Sequence, residues 1–268
     1  MFFIIPLDQW SLIGTTDTKY EDSLDEVHAS RDDVDYLITE SRRVLPGLNI
    51  TREAILYTYA GIRPLAFSGT NESKISRKHR VIKEGRTQRI ITIAGGKLTT
   101  YRNMAKDSVD TACKMLGKNA PCVSDQRPFP GGLHREYDDY LKEALPDMAA
   151  RHKIGEETVR HLIRFYGSGT ERVLDIVDRD RALGQAISPE SRDIYAQVVY
   201  SIMEEGARTL SDIILRRMHL GMTGSRGVRQ ADKIADIAAH ELKWSEEEKQ
   251  HYIESFLKEI HKDNECLK

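Results

Sequence analysis

The 268-residue sequence predicts an α+β part followed by an all-α part. Two observations carry that prediction. Alternating β-branched and aromatic runs are confined to the stretch before residue 118, and beyond a Pro- and Gly-rich segment only helical periodicities remain. The composition agrees with a globular chain, at 40% hydrophobic and 31% charged residues.

Residues 1–16 predict a β-hairpin, with Phe2 to Leu7 and Trp10 to Thr15 flanking Asp8-Gln9. A helix is expected at about 32–45, where Val34, Leu37, Ile38, Ser41, Val44 and Leu45 recur at helical spacing before Pro46-Gly47. Ile55 to Gly61 alternates like a strand and runs into Arg63-Pro64. Residues 68–87 are polar and basic with turn formers, which predicts a loop or hairpin tip. Arg89 to Ala94 is a compact apolar strand that enters Gly95-Gly96. The helix that begins near Thr99 should present Met104, Val109, Ala112, Met115 and Leu116 on one face.

Lys118 to Gly132 contains Asn119, Pro121, Pro128, Pro130, Gly131 and Gly132 and reads as a linker. It divides the chain into 1–118 and 125–268. The second part shows amphipathic stretches in series, such as Val159/Leu162/Ile163/Tyr166, Leu210/Ile213/Ile214/Met218 and Tyr252/Ile253/Phe256/Leu257/Ile260. Gly167-Ser168-Gly169, Ser188-Pro189 and Gly221 to Gly227 separate them. No fixed-period repeat is present, so a compact helical domain is expected rather than a solenoid.

Several function classes are disfavoured by residue content. Forty basic against forty-two acidic residues give a net charge of −2, which is no footprint for nucleic acid, including for Arg216-Arg217 through Arg229. No apolar run approaches the roughly 20 residues that span a bilayer. Phe2 to Leu7 lacks the basic flank and cleavage site of a signal peptide. Cys113, Cys122 and Cys266 are odd in number and scattered, which points to a reduced cytoplasmic protein with incidental thiols. The nine histidines show neither H-E-x-x-H nor zinc spacing, and no G-x-S-x-G is present. Metal and acyl-transfer chemistry are therefore not expected.

Two segments favour anions. Ala94-Gly95-Gly96-Lys97-Leu98-Thr99-Thr100-Tyr101-Arg102 joins a strand to a helix, where glycines admit close backbone approach and the helix start carries partial positive charge. It is not a P-loop, since Leu98 follows Lys97 and Ile91 stands where the first glycine should be. The alternative is an ordinary tight turn with Thr99 capping the helix. In Tyr59-Ala60-Gly61-Ile62-Arg63-Pro64-Leu65 an arginine at a strand end, fixed by proline, suits bidentate capture of a phosphate or carboxylate; the alternative is a surface ion pair. Ser76-Arg77-Lys78-His79-Arg80 is a basic run, of the kind that is usually a solvated loop.

Ile13-Gly14-Thr15-Thr16-Asp17, Ala60 to Leu65, Ser76-Arg77-Lys78-His79 and Gly95 to Arg102 occur in that order. Together with Pro130-Gly131-Gly132, Phe165-Tyr166-Gly167 and Ala207-Arg208-Thr209-Leu210-Ser211-Asp212, they resemble the C-terminal portion of the FAD-dependent glycerol-3-phosphate dehydrogenases. That group is a branch of the glycine/D-amino-acid oxidase fold, and the resemblance covers nearly the whole chain. It implies that 1–118 is a partial FAD- and substrate-binding domain, with part of an antiparallel substrate sheet and the closing flavin-domain segment, and that 125–268 is the helical C-terminal domain. It further implies oxidation of sn-glycerol 3-phosphate to dihydroxyacetone phosphate, with hydride passing to FAD and electrons to a quinone or oxygen. By the same resemblance Arg63 binds the substrate phosphate, Lys97 is catalytic beside the reacting hydroxyl and the flavin, and Arg77 is a further substrate contact. Gly61, Gly95, Gly96, Lys97, Leu98 and Thr99 would contact the cofactor. Peripheral attachment to the inner membrane face would accompany a quinone acceptor.

The family's G-x-G-x-x-G dinucleotide turn is not found in these 268 residues. Gly167-Ser168-Gly169 has Arg172 in place of the last glycine and no strand before it. The chain is therefore expected to need an N-terminal half to complete its FAD site and to be inactive alone. A non-catalytic helical interaction module that keeps only the family fold is the alternative.

Overall fold

The structure, a computed structural model, describes all residues except 1, 8, 64–77, 86–88 and 134. Two compact units form, one from Met1–Gly61 with Arg135–Lys268 and one from Ile62–His134. This spatial grouping cuts the chain at different places from the sequence division at 118 and 125, because residues 1–61 pack with the helical part.

In the larger unit, β1 (Phe3–Leu7) and β2 (Trp10–Gly14) form the expected antiparallel hairpin, with Phe3 opposite Gly14 and Leu7 opposite Trp10. Helix α1 (Arg31–Val44) starts at a capping box in which the Ser30 hydroxyl accepts from the Asp33 amide and the Asp33 carboxylate accepts from the Ser30 amide. Its Val34 and Ile38 are buried with Cys266, beside Ala29, Ile55 and Leu267. Ile55 to Gly61 is not a strand as expected. No partner strand is recorded among the described residues, and side-chain contacts account for its alternation: Ile55 meets that cluster, and Tyr57 lies under the Arg226 guanidinium at 4.5 Å.

The helices α3 (Tyr137–His152), α4 (Glu156–Tyr166), α5 (Thr170–Arg179), α6 (Ala196–Met203), α7 (Leu210–Arg216), α8 (Ala231–Leu242) and α9 (Glu246–Asp263) complete the unit. Val159, Leu162, Ile163 and Tyr166 of α4 are buried against Val173, Leu174 and Val177 of α5, as their i, i+3, i+4, i+7 spacing requires. A second core gathers Leu210, Ile213, Ile214, Met218, Ile234 and Phe256. On α9, Leu257 is 40% exposed while Phe256 is fully buried, so the apolar stripe is narrower than the sequence suggested. The all-α expectation also missed a short hairpin, β5 (Ala186–Ser188) with β6 (Ser191–Ile194). Ser188-Pro189, read as a helix breaker, leads into its turn.

In the smaller unit, β3 (Arg80–Glu84) pairs antiparallel with β4 (Ile90–Ala94), Arg80 opposite Ala94. The expected 68–87 loop therefore already contains a strand from Arg80. Helix α2 (Tyr101–Met115) follows β4, but Val109 and Leu116 are 59% and 70% exposed and no α2 residue is fully buried.

Candidate functional site

The β3–β4 ladder delivers the chain to Gly95 and Gly96, both left-handed, with φ of 77° and 97°. Such backbone favours glycine, and at Gly96 space demands it as well. A Cβ there would stand 2.5 Å from the Met104 sulfur and 3.3 Å from Cβ of His79. Lys97 returns to extended backbone, and Leu98–Thr100 forms a single 3-10 turn ahead of α2. Thr100, not Thr99, closes this turn. Its hydroxyl donates to the Lys97 carbonyl (2.9 Å) and accepts from the Lys97 amide (3.3 Å), while its own amide donates to the same carbonyl.

Lys97 and Thr99 are exposed, and Leu98 is 88% exposed. The first amides of a helical turn have no acceptor within it, so this start offers backbone donors beside a lysine cation. Such a set can hold an anion or meet negative charge as it develops. Behind the turn, the His79 imidazole Nε2 donates to the Asp107 carboxylate of α2 at 2.8 Å, with the His79 side chain only 13% exposed. At the start of α2, the Arg102 guanidinium lies 5.3 Å from the Phe129 ring, which also meets Tyr101. Sequence reading missed both features: His79 was hidden in a basic run, and Phe129 in a linker.

The predicted site residues are thus placed unequally. Gly95, Gly96, Lys97, Leu98 and Thr99 share one continuous turn, in which Gly95 is buried, Gly96 half-buried, and Lys97, Leu98 and Thr99 exposed. Gly61 is exposed, lacks positive φ, and a Cβ on it would meet nothing within 4 Å, so the chain's own packing does not require glycine there. Arg63 is exposed. Arg77 lies outside the described residues, as does Pro64, which was expected to fix Arg63. Among the described residues no cluster of three or more metal-ligating side chains occurs.

A second polar cluster lies inside the helical unit. The fully buried Asp193 carboxylate accepts from His161 Nε2 (2.7 Å), the Leu220 amide (2.6 Å) and the Gln197 amide (3.2 Å). Burial pushes this carboxyl up, but the His161 hydrogen bond and charge, with Ser191 and the Leu220 amide, outweigh burial and hold it below the usual value. The cluster joins α4, β6, α6 and the 3-10 turn His219–Met222.

Residues 122–249 match the family model of the C-terminal domain of alpha-glycerophosphate oxidase. A glycerol-3-phosphate dehydrogenase of Synechocystis sp. is 35% identical over 260 residues, covering 95% of this chain and 46% of that protein. An aerobic glycerol-3-phosphate dehydrogenase of Staphylococcus aureus is 34% identical over 264 residues, with the same coverage. The X-ray structure of the Bacillus halodurans glycerol-3-phosphate dehydrogenase complexed with FAD superposes with a TM-score of 0.84 at 27% identity, over 100% of this chain and 52% of that one. The chain spans about half the length of the curated relatives it matches.

Proposed function

We propose, for a chain homologous to the C-terminal portion of the glycerol-3-phosphate dehydrogenases, that it takes part in oxidising sn-glycerol 3-phosphate to dihydroxyacetone phosphate, with FAD as the hydride acceptor and a quinone or oxygen as the final acceptor. The observation that carries this reading is the Gly95-Gly96-Lys97 turn. A strand end, two left-handed glycines, an exposed cation and a helix start follow one another there. This donor set fits the charged pyrimidine edge of a reduced flavin. Gly95, Gly96, Leu98 and Thr99 would hold that edge through the backbone, and Gly61 would be a further contact of the cofactor. FAD supplies the acceptor for the hydride from substrate C2.

The chain's own residues would do the rest. Arg63 would grip the dianionic phosphate bidentately, with Arg77 as a further contact. Lys97 would stabilise negative charge that develops on the substrate hydroxyl oxygen as its proton passes to a base that a further polypeptide segment would supply. The pyrophosphate of FAD requires a glycine-rich strand-to-helix turn that these residues do not contain. The same further segment, the N-terminal half of the family fold, would supply it. In support, the two-stranded sheets expose apolar side chains that added strands could cover: Phe3 (38%), Ile5 (47%) and Trp10 (38%) on one, Ile90 (60%) and Ile93 (44%) on the other. A quinone acceptor would bring the assembled enzyme to the inner face of the membrane. No helix among the described residues is long and apolar enough to cross one.

The test starts with the visible spectrum of the purified 268-residue chain, which should carry no bound flavin. Combined with a polypeptide that carries the dinucleotide-binding half, it should bind FAD and reduce it on addition of glycerol 3-phosphate. Stoichiometric flavin on the isolated chain would overturn the need for a second segment. Failure of the assembled, FAD-loaded protein to reduce flavin would leave the helical interaction module as the better reading.

A further inference from the structure

We propose that His79 and Asp107 form a positioning pair that sets the Gly95-Gly96-Lys97 turn; its functional consequence rests on the reading above. His79 directly precedes β3 and Gly95 directly follows β4, so both lie just past the last ladder pair, Arg80 with Ala94. The His79 Cβ lies 3.3 Å from where a side chain on Gly96 would begin, and Met104 of α2 closes the same space at 2.5 Å. The Gly96 backbone thus passes over a floor made from the strand side by His79 and from the helix side by Met104. The hydrogen bond from His79 Nε2 to Asp107 Oδ2, at 2.8 Å, ties those two sides together. Asp107 lies three residues after Met104 on α2, so one helical turn carries both the floor and the tie.

The chemistry suits positioning rather than bulk stability. The Asp107 side chain is 52% exposed, and a half-exposed pair adds little to folding. The His79 side chain, in contrast, is only 13% exposed, and its Cβ stands close beside Gly96. Lys97 is the next residue, so an error in the turn becomes an error in where its ammonium and amide point.

The first arm of the test needs no cofactor. In the 268-residue chain, backbone amide NMR shifts of Gly95, Gly96 and Lys97 should move in His79→Ala and in Asp107→Ala. They should return towards wild type in His79→Gln, whose amide can donate from near the Nε2 position. The melting temperature should change by less than about 4 °C in all three variants. The exposed Asp107→Ala keeps the arm decisive if His79→Ala fails to fold. Unmoved turn amides in Asp107→Ala, or no recovery in His79→Gln, would overturn the pair. The second arm measures flavin reduction in the assembled enzyme. His79→Ala should lower the limiting rate by about ten- to a hundredfold, the scale of a misplaced catalytic group, with substrate affinity within about threefold. An unchanged rate with a displaced turn would overturn the positioning role but leave the proposed function standing. A wild-type enzyme that reduces no flavin would fail that function while the first arm still decides the turn.

Discussion

At the residue scale, the best-held charge is Asp193. A fully buried carboxylate with three donors is expensive to unpartner, so Asp193→Asn should cost on the order of 3–5 kcal/mol in denaturant unfolding. Its pH dependence has a definite sign. Because the folded carboxyl is held below its unfolded value, its stabilisation is present above about pH 4 and is lost as the pH falls through the folded value. The acid limb of the unfolding curve should therefore be shallower in Asp193→Asn than in wild type. In the assembled enzyme, Arg63→Lys should weaken glycerol 3-phosphate by about ten- to a hundredfold while sparing the limiting flavin reduction rate, since the charge survives but the fork is lost. Lys97→Met should do the reverse, and rapid-mixing reduction across substrate concentrations separates the two effects. Lys97 was legible in the sequence because glycines and a helix start flank it. His79 and Asp193 were not, because Asp107 lies 28 residues from His79, while His161 and the Leu220 amide lie 32 and 27 residues from Asp193, and no local pattern announces them.

At the element scale, helices were read best where the apolar spacing was strict and a cap stood at the start. Helix α7 shows both, with Leu210, Ile213 and Ile214 buried and a Thr209–Asp212 capping box. Thr209→Ala should cost about 1 kcal/mol, seen as a lower unfolding midpoint with unchanged slope. Strands were read less well. Ile55 to Gly61 alternates in pattern but has no recorded ladder partner, whereas β5–β6 is too short to show a period of two. Helix α2 has the residues of an apolar face, yet exposes Val109 and Leu116. Periodicity says which residues could share a face, and only the neighbours available decide whether that face is covered.

For the whole molecule, the helical part carries two cores built entirely from residues beyond 140, which include Leu162, Leu174, Ile213 and Phe256. Residues 125–268 expressed alone should therefore give a helical circular dichroism spectrum and a cooperative melt. A random-coil spectrum would place the domain boundary elsewhere. The order of α+β before all-α was visible in the sequence because the breakers and the change of period coincide near 118–132. The packing of residues 1–61 onto the helical part was not, since it rests on contacts between distant chain positions, such as His28 with Asp263 and Arg52 with the Cys266 carbonyl.

Those distant contacts have a consequence for synthesis. Lys262 reaches Glu26, Asp263 takes His28, and the Cys266 carbonyl takes Arg52, while Val34 and Ile38 bury themselves against Cys266. On a ribosome, which releases the chain from the N-terminus, α1 emerges ahead of its docking partners at 263–267, which are made more than 200 residues later. At roughly 5–20 residues per second, that is a wait of about 10–40 seconds with its apolar stripe uncovered. A nascent chain stalled before Asp263 should accordingly be cut by protease within 26–58, and one that carries residues 263–267 clear of the exit tunnel should be protected there.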